Sequence, residues 1–315
     1  MKISIVTPAG AAPRSGNRHT AVRWAKFLRS LGHRVAVTEQ WSGPAADALI
    51  ALHARKSAAS IENFHRSHPE RALIVVLTGT DLYRDIRTSA AARRSLQLAS
   101  RLVVLQPEGR RELANRLRAK TRVIFQSADT RARQRPPQNS WRVAVVGHLR
   151  EEKDPFRAVI ALAHLPQQTA IEVVQLGDAL TPEMAQTARH WMKREARYRW
   201  LGSKPHADAM RCLAASHLLI VSSVMEGGAN VICEASRIGV PILASRVSGN
   251  IGMLGADYPG YFPLFDDQAL AGLIGRAATD SAFYRQLKRA VLARRPLFAP
   301  LAERRALKLL LQELC

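Results

Sequence analysis

Two carboxylates, Glu226 and Glu234, flank a glycine-rich stretch in the segment SSVMEGGANVICE. The segment follows an apolar, strand-like run and opens a helix-like one, and ligands of α/β proteins bind at that end of a strand. Gly227, Gly228 and Ala229 let a ligand approach the backbone closely. Because carboxylates repel phosphate, we expect Glu226 to hold sugar hydroxyls and Glu234 the diol of a ribose. The alternative is that Glu226 caps the helix and Glu234 is an exposed helix residue.

The first turn of that predicted helix supplies backbone donors. The N–H groups of Ala229, Asn230 and Val231 have no acceptor within the helix. Together with the helix dipole, they favour a negatively charged group. The sequence therefore predicts a diphosphate beside Asn230 and Val231.

A second loop, GHLREEKDP at residues 147–155, follows another strand-like run and carries cations. Arg150 and Lys153 precede a helix that we expect to start near Asp154 and Pro155, since proline suits a first helical turn. These cations can meet the diphosphate from the opposite side. The alternative is a solvated, charged turn.

A third loop, GAAPRSGNRHT, spans residues 10–20. Gly16 and Asn17 precede a helix predicted over residues 20–31, so their N–H groups can bind the anion as well. A dinucleotide fingerprint is excluded, because Gly10 and Gly16 are six residues apart and the spacing G-x-G-x-x-G is absent.

Loops of this kind are positioned by the strand ends of parallel sheets. Strand-like runs alternate with helix-like runs through both halves of the chain. The pattern predicts an α/β fold with two Rossmann-like domains. The predicted strands are residues 3–6, 35–38, 48–51, 73–77, 101–105 and 122–125, then 142–146, 171–176, 197–200, 218–221, 242–244 and 260–262.

Prolines mark the boundaries of the two predicted domains. Pro136 and Pro137 exclude a buried strand from the polar segment 128–140, which we interpret as a linker. Pro296 and Pro300 are expected to break the C-terminal stretch into two helices. We therefore predict an N-terminal domain at 1–138, completed by the final helix at 298–315, and a C-terminal domain at 139–297.

The composition is that of a globular protein with excess positive charge. Lys and Arg number 47 against 25 Asp and Glu, a formal charge of +22, which favours an anionic partner. No stretch interleaves basic and aromatic residues as an RNA-binding sheet does, so we expect phosphorylated small substrates rather than nucleic acid. The three cysteines have no metal-binding spacing, and no apolar run approaches the roughly 20 residues of a membrane span. We expect a cytoplasmic protein without a metal.

Together, the three loops resemble the glycosyltransferase family 4 group of the GT-B fold. In that family a G-R-L-x-x-x-K-G loop binds the donor pyrophosphate, and an E-x7-E element binds the sugar and the ribose. Glu226 and Glu234 match the E-x7-E element, and Lys153 matches the lysine. His148 stands in the place of the arginine, so either His148 or Arg150 supplies the second cation. The resemblance implies a donor and acceptor cleft between two domains.

A narrower resemblance is to the selenosugar synthases of selenoneine biosynthesis. It rests on GNRHTA at 16–21, DALIALHARKSA at 47–58 and TGTDLYRD at 78–85. It implies transfer of a glucose-type or N-acetylglucosamine-type unit from a UDP-sugar to selenophosphate, leaving a 1-seleno sugar, UDP and phosphate. Because the selenium is anionic at neutral pH, the transfer needs a cationic pocket more than a strong base.

The same resemblance assigns residues to the acceptor. His53, Asp81 and Glu226 are the predicted catalytic residues. His53 and Asp81 would orient the nucleophile or assist hydrolysis of the P–Se bond, and Glu226 would hold the sugar. For His53 and Asp81 the alternatives are turn capping and helix capping. The predicted acceptor pocket consists of Arg18, His19, Thr20 and Arg55, with His53 and Lys56 beside them.

Two other functions stay open at this point. One is an ordinary UDP-sugar glycosyltransferase with a hydroxylated acceptor, and the other is a basic nucleic-acid-binding α/β protein, whose binding would depend steeply on salt. No D-x-D motif lies at a plausible strand end. The resemblance to GT-B enzymes, which stabilise the departing diphosphate with cations and helix dipoles, therefore implies catalysis without a metal.

Overall fold

The computed structural model describes residues 1–8, 16–43, 45–129 and 134–314. The chain divides into two compact units. Unit 1 comprises Met1–Ser127, Glu226–Gly228 and Pro300–Cys315, and unit 2 comprises Ala128–Met225 and Ala229–Ala299. Each contains a six-stranded parallel sheet. The predicted α/β class with two Rossmann-like halves is confirmed.

The sheet of unit 1 has the order β2-β1-β3-β4-β5-β6. The chain runs from β1 to the edge strand β2 and returns to β3 on the other side of β1. The loops after β1 and β3 therefore diverge at a topological switch point, where ligands of such sheets bind. The strands are β1 (Lys2–Val6), β2 (Arg34–Thr38), β3 (Ala48–Leu52), β4 (Ala72–Leu77), β5 (Arg101–Val104) and β6 (Thr121–Val123).

Helices cover both faces of this sheet. Because successive strand residues point to opposite faces, the same strands contribute to two apolar cores, one against α2 and α4 and the other against α1 and α14. The helices are α1 (Gly16–Ser30), α2 (Ala58–Ser67), α3 (Ile86–Thr88), α4 (Ala90–Leu98), α5 (Glu108–Arg111), α6 (Asn115–Arg118) and, from the C-terminus, α14 (Pro300–Gln312), with a π-helical turn at Asp81–Asp85.

Helix α1 corrects one expectation from the sequence. It begins at Gly16 rather than at Thr20, and it ends at Ser30, just before Gly32 with its φ of 89°. Glycine and asparagine are weak helix formers, but the buried Thr20 hydroxyl donates to the Gly16 carbonyl at 3.0 Å, which closes the turn. Gly16 and Asn17 are therefore helical, and the expectation that they precede the helix is wrong.

A buried carboxylate bonds helix α14 to helix α1. Glu303 accepts hydrogen bonds from Arg23 Nε at 2.8 Å, from Trp24 Nε1 at 2.7 Å and from the Ser127 N–H at 2.8 Å. The C-terminal stretch is divided at its prolines, as predicted, with a 3-10 turn at Arg295–Phe298 before α14. The last helix thus completes the second core of unit 1.

The sheet of unit 2 has the order β12-β11-β10-β7-β8-β9, with its switch point between β7 and β10. Its strands are β7 (Trp141–Val146), β8 (Ile171–Leu176), β9 (Tyr198–Trp200), β10 (Leu218–Val221), β11 (Ile242–Ser245) and β12 (Tyr261–Phe262). Its helices are α7 (Arg157–Leu162), α8 (Pro182–Arg194), α9 (His206–Ala214), α10 (Asn230–Ile238), α11 (Ser248–Leu254), α12 (Asp267–Thr279) and α13 (Ser281–Arg294). Every predicted strand is present in the two sheets, with ends shifted by a residue or two.

The start of helix α7 differs from the prediction. A 3-10 turn at Glu151–Lys153 ends at Asp154, whose φ of 43° is left-handed, so the chain cannot continue as a helix there. The carbonyl of Pro155 instead accepts a hydrogen bond from Gln175 Nε2 at 2.9 Å. The helix begins at Arg157, and the expected start near Asp154 and Pro155 is wrong.

The predicted linker at 128–140 has neither helix nor strand in its described residues, 128–129 and 134–140. The boundaries of the two domains at 138 and 297 stay a prediction. Among the helices that the structure describes, none combines the length and the apolar character needed to cross a membrane.

Candidate functional site

In unit 2, the loops that follow β7 and β10 are bonded to each other at the switch point. The Ser222 hydroxyl donates to the carbonyls of Lys153 at 3.1 Å and Asp154 at 2.8 Å. The N–H of Val224 donates to the carbonyl of Glu152 at 3.0 Å. The backbone that carries Lys153 is therefore fixed at the carboxyl end of β10, and the binding of a diphosphate there stays a prediction.

The remainder of the β7 loop packs against the loop after β8. A Cβ on Gly177 would lie 1.8 Å from the Gly147 carbonyl oxygen, so this approach requires glycine. His148 Nδ1 accepts the N–H of Asp178 at 3.3 Å, whereas the guanidinium of Arg150 bonds to no residue in the described part of the chain. Of the two predicted cations, Arg150 keeps its donors available for a ligand.

Helix α10 starts where the sequence predicted. Asn230 is its first residue, and Ala229, at the N-cap position, has no side-chain acceptor for the N–H groups of the first turn. Glu226 is therefore not the N-cap, which removes that alternative. The helix ends at Ile238 and is capped by Gly239, whose φ of 94° suits glycine. The first turn keeps the backbone donors that favour an anion.

The second glutamate, Glu234, lies in the middle of helix α10. Its side chain is 13% exposed, so it is not the exposed helix residue of the alternative interpretation. Glu234 Oε1 lies 2.9 Å from Nε2 of His206, the first residue of α9. This partner was missed from the sequence because it precedes Glu234 by 28 residues and no motif contains it.

Residues Glu226–Gly228 belong to unit 1, although the residues on either side of them belong to unit 2. A Cβ on Gly227 would lie 2.4 Å from the Thr78 carbonyl oxygen and 2.7 Å from the Gly79 nitrogen. A Cβ on Gly228 would lie 2.7 Å from the side chain of Leu105. Both glycines are needed for this close packing, and Glu226 itself is buried.

Asp81 connects the loops after β3 and β4 in unit 1. Its Oδ1 accepts the N–H groups of Thr78 and Gly79, both at 2.9 Å, and its Oδ2 accepts the N–H of Ala54, also at 2.9 Å. The side chain is fully buried. This geometry matches the capping interpretation of Asp81. It also fixes the backbone of Ala54, which follows the predicted catalytic residue His53.

That neighbour, His53, has a left-handed backbone with a φ of 75° and is buried. Nδ1 accepts the N–H of Lys56 at 3.3 Å, so Nε2 carries the proton and donates to Thr80 Oγ1 at 3.1 Å. Burial lowers the pKa of His53 below its usual value, although Asp81 opposes the shift. The imidazole is therefore neutral near pH 7.

A second buried carboxylate, Asp85, was missed from the sequence. Its Oδ2 accepts a hydrogen bond from Arg55 Nε at 2.9 Å and lies 3.8 Å from His53 Nε2, and its Oδ1 lies 3.5 Å from Arg84 Nε. The segment DLYRD places Asp81 and Asp85 four residues apart, a spacing that puts both on one side of a helical turn and could have identified the second carboxylate.

The start of α1 completes the described groups of unit 1. The Thr20 hydroxyl, which is buried, accepts a hydrogen bond from Gln126 Nε2 and donates to Gly16, so both of its roles are structural. Arg18 and His19 lie in the same first turn, at the end of the loop after β1. Residues 9–15 of the predicted loop lie outside the described residues.

The structure therefore groups the predicted residues in two sets. Unit 1 contains the acceptor residues on α1 and on the loops after β3 and β4, together with Glu226–Gly228. Unit 2 contains the loop of His148, Arg150 and Lys153 and helix α10 with Glu234. Among the described residues, no group of three or more His, Cys, Asp or Glu side chains could hold a metal ion.

Part of the chain matches a known family. The profile of the family described as "Glycosyl transferases group 1" matches residues 126–293, more than half of the chain. The matched region includes both loops at the switch point of unit 2 and helix α10 with Glu234.

Comparison with solved structures gives the same fold over the whole chain. The Anabaena protein HepE, in complex with UDP and glucose, is 17% identical, with a TM-score of 0.79 and 100% of each chain covered. Sucrose-phosphate synthase from Thermosynechococcus elongatus is 17% identical, with a TM-score of 0.81, covering 100% of this chain and 99% of that one. An E. coli structure described as trehalose-6-phosphate bound with UDP-2-fluoro glucose is 11% identical, with a TM-score of 0.76 and coverage of 100% and 99%. These similarities confirm the predicted GT-B class of fold.

Proposed function

We propose that this chain, which belongs to the glycosyl transferases group 1 family, transfers a glucose-type or N-acetylglucosamine-type unit from a UDP-sugar to selenophosphate. The products are a 1-seleno sugar, UDP and phosphate. The proposal that unit 2 binds the UDP-sugar donor is supported by the hydrogen bonds between the two loops at its switch point. The observation that carries the acceptor half is the buried carboxylate of Asp85, which holds the Arg55 guanidinium beside His53.

The donor diphosphate binds at the switch point of unit 2. HepE, which has the same fold over its whole length, was solved with UDP and with UDP-glucose, which supports a UDP-sugar donor here. Lys153 and the N–H groups of Asn230 and Val231 hold the diphosphate. Arg150 supplies the second cation, since His148 Nδ1 is already bonded to Asp178.

The two glutamates divide the rest of the donor between them. Glu234, on helix α10, accepts the ribose diol, and Glu226, with the adjacent glycines Gly227 and Gly228 and with Ala229, contacts the sugar hydroxyls. Carboxylate oxygens accept hydroxyl hydrogen bonds strongly. Placing them on hydroxyls keeps them away from the diphosphate, which they would repel.

The acceptor binds to unit 1 as an anion. Arg55 is 47% exposed at its side chain while Asp85 is 4% exposed, so the carboxylate anchors one edge of a guanidinium that faces solvent with its other donors. Arg18 and His19 add positive charge at the start of α1, and the N–H groups of Gly16 and Asn17 beside them are assigned to the donor diphosphate. A phosphate-bearing nucleophile fits this set better than a neutral alcohol does.

In the transfer step, the selenium of selenophosphate attacks C1 of the sugar, and the bond from C1 to the diphosphate oxygen breaks. The electron pair leaves with UDP, whose charge Lys153 and the α10 N-terminus stabilise without a metal. Water then attacks phosphorus, the P–Se electron pair returns to selenium, and phosphate leaves. His53, neutral and beside Asp81, is placed to orient the acceptor or to take the proton of that water.

A hydroxylated acceptor is the second candidate, and the neutral imidazole of His53 favours it. Burial lowers the pKa of His53, so the side chain is unprotonated near pH 7, as a general base for a hydroxyl must be. In that case His53 removes the hydroxyl proton during transfer, and the rate falls as the pH drops through the pKa of His53. Attack by an anionic selenium has no such requirement.

Substitution of Arg55 separates these candidates. In Arg55→Ala we expect the KM for selenophosphate to rise by roughly tenfold or more, because a charge-assisted contact is lost, while UDP affinity stays unchanged. Inorganic phosphate and thiophosphate should compete with selenophosphate in the wild type, and neutral alcohols should not. Arg66→Ala, an exposed arginine on α2 of the same unit, is the matched control. An unchanged KM in Arg55→Ala would remove this residue from the acceptor site.

A further inference from the structure

His206 and Glu234 form a pair that the proposed donor site does not yet explain. His206 Nε2 lies 2.9 Å from Glu234 Oε1, and the two residues belong to different helices of unit 2, α9 and α10. We propose that His206 is a positioning residue: it holds one carboxylate oxygen so that Glu234 presents its other oxygen to the ribose diol of the donor. This inference rests on the proposed function, since it presupposes a nucleotide sugar.

The first argument is geometric. A glutamate side chain rotates about three bonds, and ordering it costs free energy each time a ligand is bound. Here His206 fixes Oε1, while Oε2 accepts no hydrogen bond from any residue that the structure describes. The 13% exposure of the Glu234 side chain leaves it few other orientations. The carboxylate is therefore held in place before a ligand arrives, with one oxygen available.

The second argument is electrostatic. A carboxylate close to a diphosphate is repelled unless a positive charge accompanies it. The hydrogen bond to Glu234 raises the pKa of His206 above its usual value, although burial opposes the shift. The nearby acid Asp208 is paired with Arg211 on its own helix. His206 can therefore offset the charge of Glu234 without drawing on Lys153.

A second histidine in the same unit provides a matched comparison. His164 Nε2 lies 2.6 Å from Asp267 Oδ2, but Arg157 also binds that carboxylate at 2.7 Å, and His164 follows helix α7 rather than the strand ends. Both pairs join an imidazole to a carboxylate, but only the pair on α10 lies on the helix that bears the predicted ribose carboxylate. His164→Ala is therefore the control for loss of a surface histidine.

The test compares UDP with 2′-deoxy-UDP by calorimetry. In the wild type we expect UDP to bind roughly tenfold more tightly than 2′-deoxy-UDP, because one hydroxyl contact to a carboxylate is lost. In His206→Ala we expect UDP to bind about tenfold more weakly and the preference for UDP to fall towards one. His206→Gln keeps a side-chain donor and should restore most of the preference, whereas His164→Ala should match the wild type.

Each other outcome has a distinct meaning. A folded His206→Ala protein with wild-type affinity and preference would overturn the positioning role. Tighter UDP binding in that variant would overturn it too, because it would mean that His206 competes with the ribose for Glu234. Failure of the wild type to bind UDP at all would refute the proposed donor, and this inference with it.

Discussion

Glu226 and Glu234 are eight residues apart in the sequence, but the structure places them in different surroundings. Glu226 is buried in unit 1, next to Gly227, which packs on the backbone of Thr78 and Gly79. Glu234 belongs to unit 2 and bonds to a histidine that is 58% exposed. A motif that looks continuous in the sequence thus supplies one carboxylate to each unit. The comparison predicts that substitutions at Glu226 affect sugar transfer and that substitutions at Glu234 affect nucleotide binding.

The largest expected effect comes from Gly227→Ala. Its new Cβ would lie 2.4 Å from the Thr78 carbonyl oxygen, so the Glu226 segment must move. Because a shift of about 1 Å can cost about 100-fold in rate, we expect sugar transfer to fall by about that factor. UDP affinity, which depends on unit 2, should change by less than about threefold. Steady-state kinetics and calorimetry measure the two effects.

The control for that substitution is Gly272→Ala in helix α12, where an added Cβ meets no atom within 4 Å. This variant should keep full activity and gain up to about 1 kcal/mol in unfolding free energy, because alanine favours the helix. If Gly227→Ala lost UDP binding and transfer equally, the separation of the two glutamates would be wrong.

Lys153→Ala is expected to have the next largest effect. The loss of a charge-assisted contact in a partly desolvated site costs about 2 kcal/mol, or roughly 30-fold in UDP affinity. Lys193→Ala, on the outer surface of α8, should bind UDP as the wild type does. Unchanged UDP binding by a folded Lys153→Ala protein would remove Lys153 from the diphosphate site.

The two carboxylates can also be compared directly. Glu234→Ala should weaken both UDP and the intact UDP-sugar, by about tenfold each, because the ribose diol is common to both. Glu226→Ala should leave UDP affinity unchanged and reduce transfer and UDP-sugar affinity. Equal losses of UDP affinity in the two variants would show that both glutamates serve the same part of the donor.

The smallest expected effect concerns stability and pH. Burial lowers the pKa of His53 in the folded state, so the unfolded chain takes up a proton there more readily. The stability linked to neutral His53 is present above about pH 6.5 and is lost as the pH falls below it. Asparagine tolerates the left-handed backbone. Between pH 7.5 and pH 5.5 the Tm of His53→Asn should therefore fall by a few degrees less than the Tm of the wild type. Equal slopes in thermal unfolding would contradict the shift.

Several parts of the site followed from the sequence because they depend on local chemistry. The glycines between a strand and a helix predicted the start of α10, and the apolar runs predicted the strands. Anion binding at that end of α10 stays a prediction. The start of α1 at Gly16 was missed, because Gly16 and Asn17 have low helix propensity and the hydrogen bond from Thr20 to Gly16 that closes the turn is visible only in the structure.

Other features depend on residues that only the fold brings together. His206 meets Glu234 because α9 packs against α10, and no spacing in the sequence contains that contact. The grouping of Glu226–Gly228 with unit 1 depends on the approach of Gly227 to the Thr78 carbonyl. Asp85 is the exception, since its spacing from Asp81 in DLYRD was visible in the sequence and could have predicted a second carboxylate near His53.

The most direct test of the proposed function is a mass balance for one reaction. The wild-type protein is incubated with UDP-glucose or UDP-GlcNAc, with and without selenophosphate, and UDP, phosphate and the sugar product are quantified by chromatography and mass spectrometry. We predict that UDP and phosphate appear in equal amounts, that the product has the mass of a 1-seleno sugar, and that UDP release depends on selenophosphate. UDP release that is indifferent to selenophosphate but strongly accelerated by a hydroxylated small molecule would contradict the proposal, and Arg18, His53 and Asp81 would then be reassigned to a neutral acceptor.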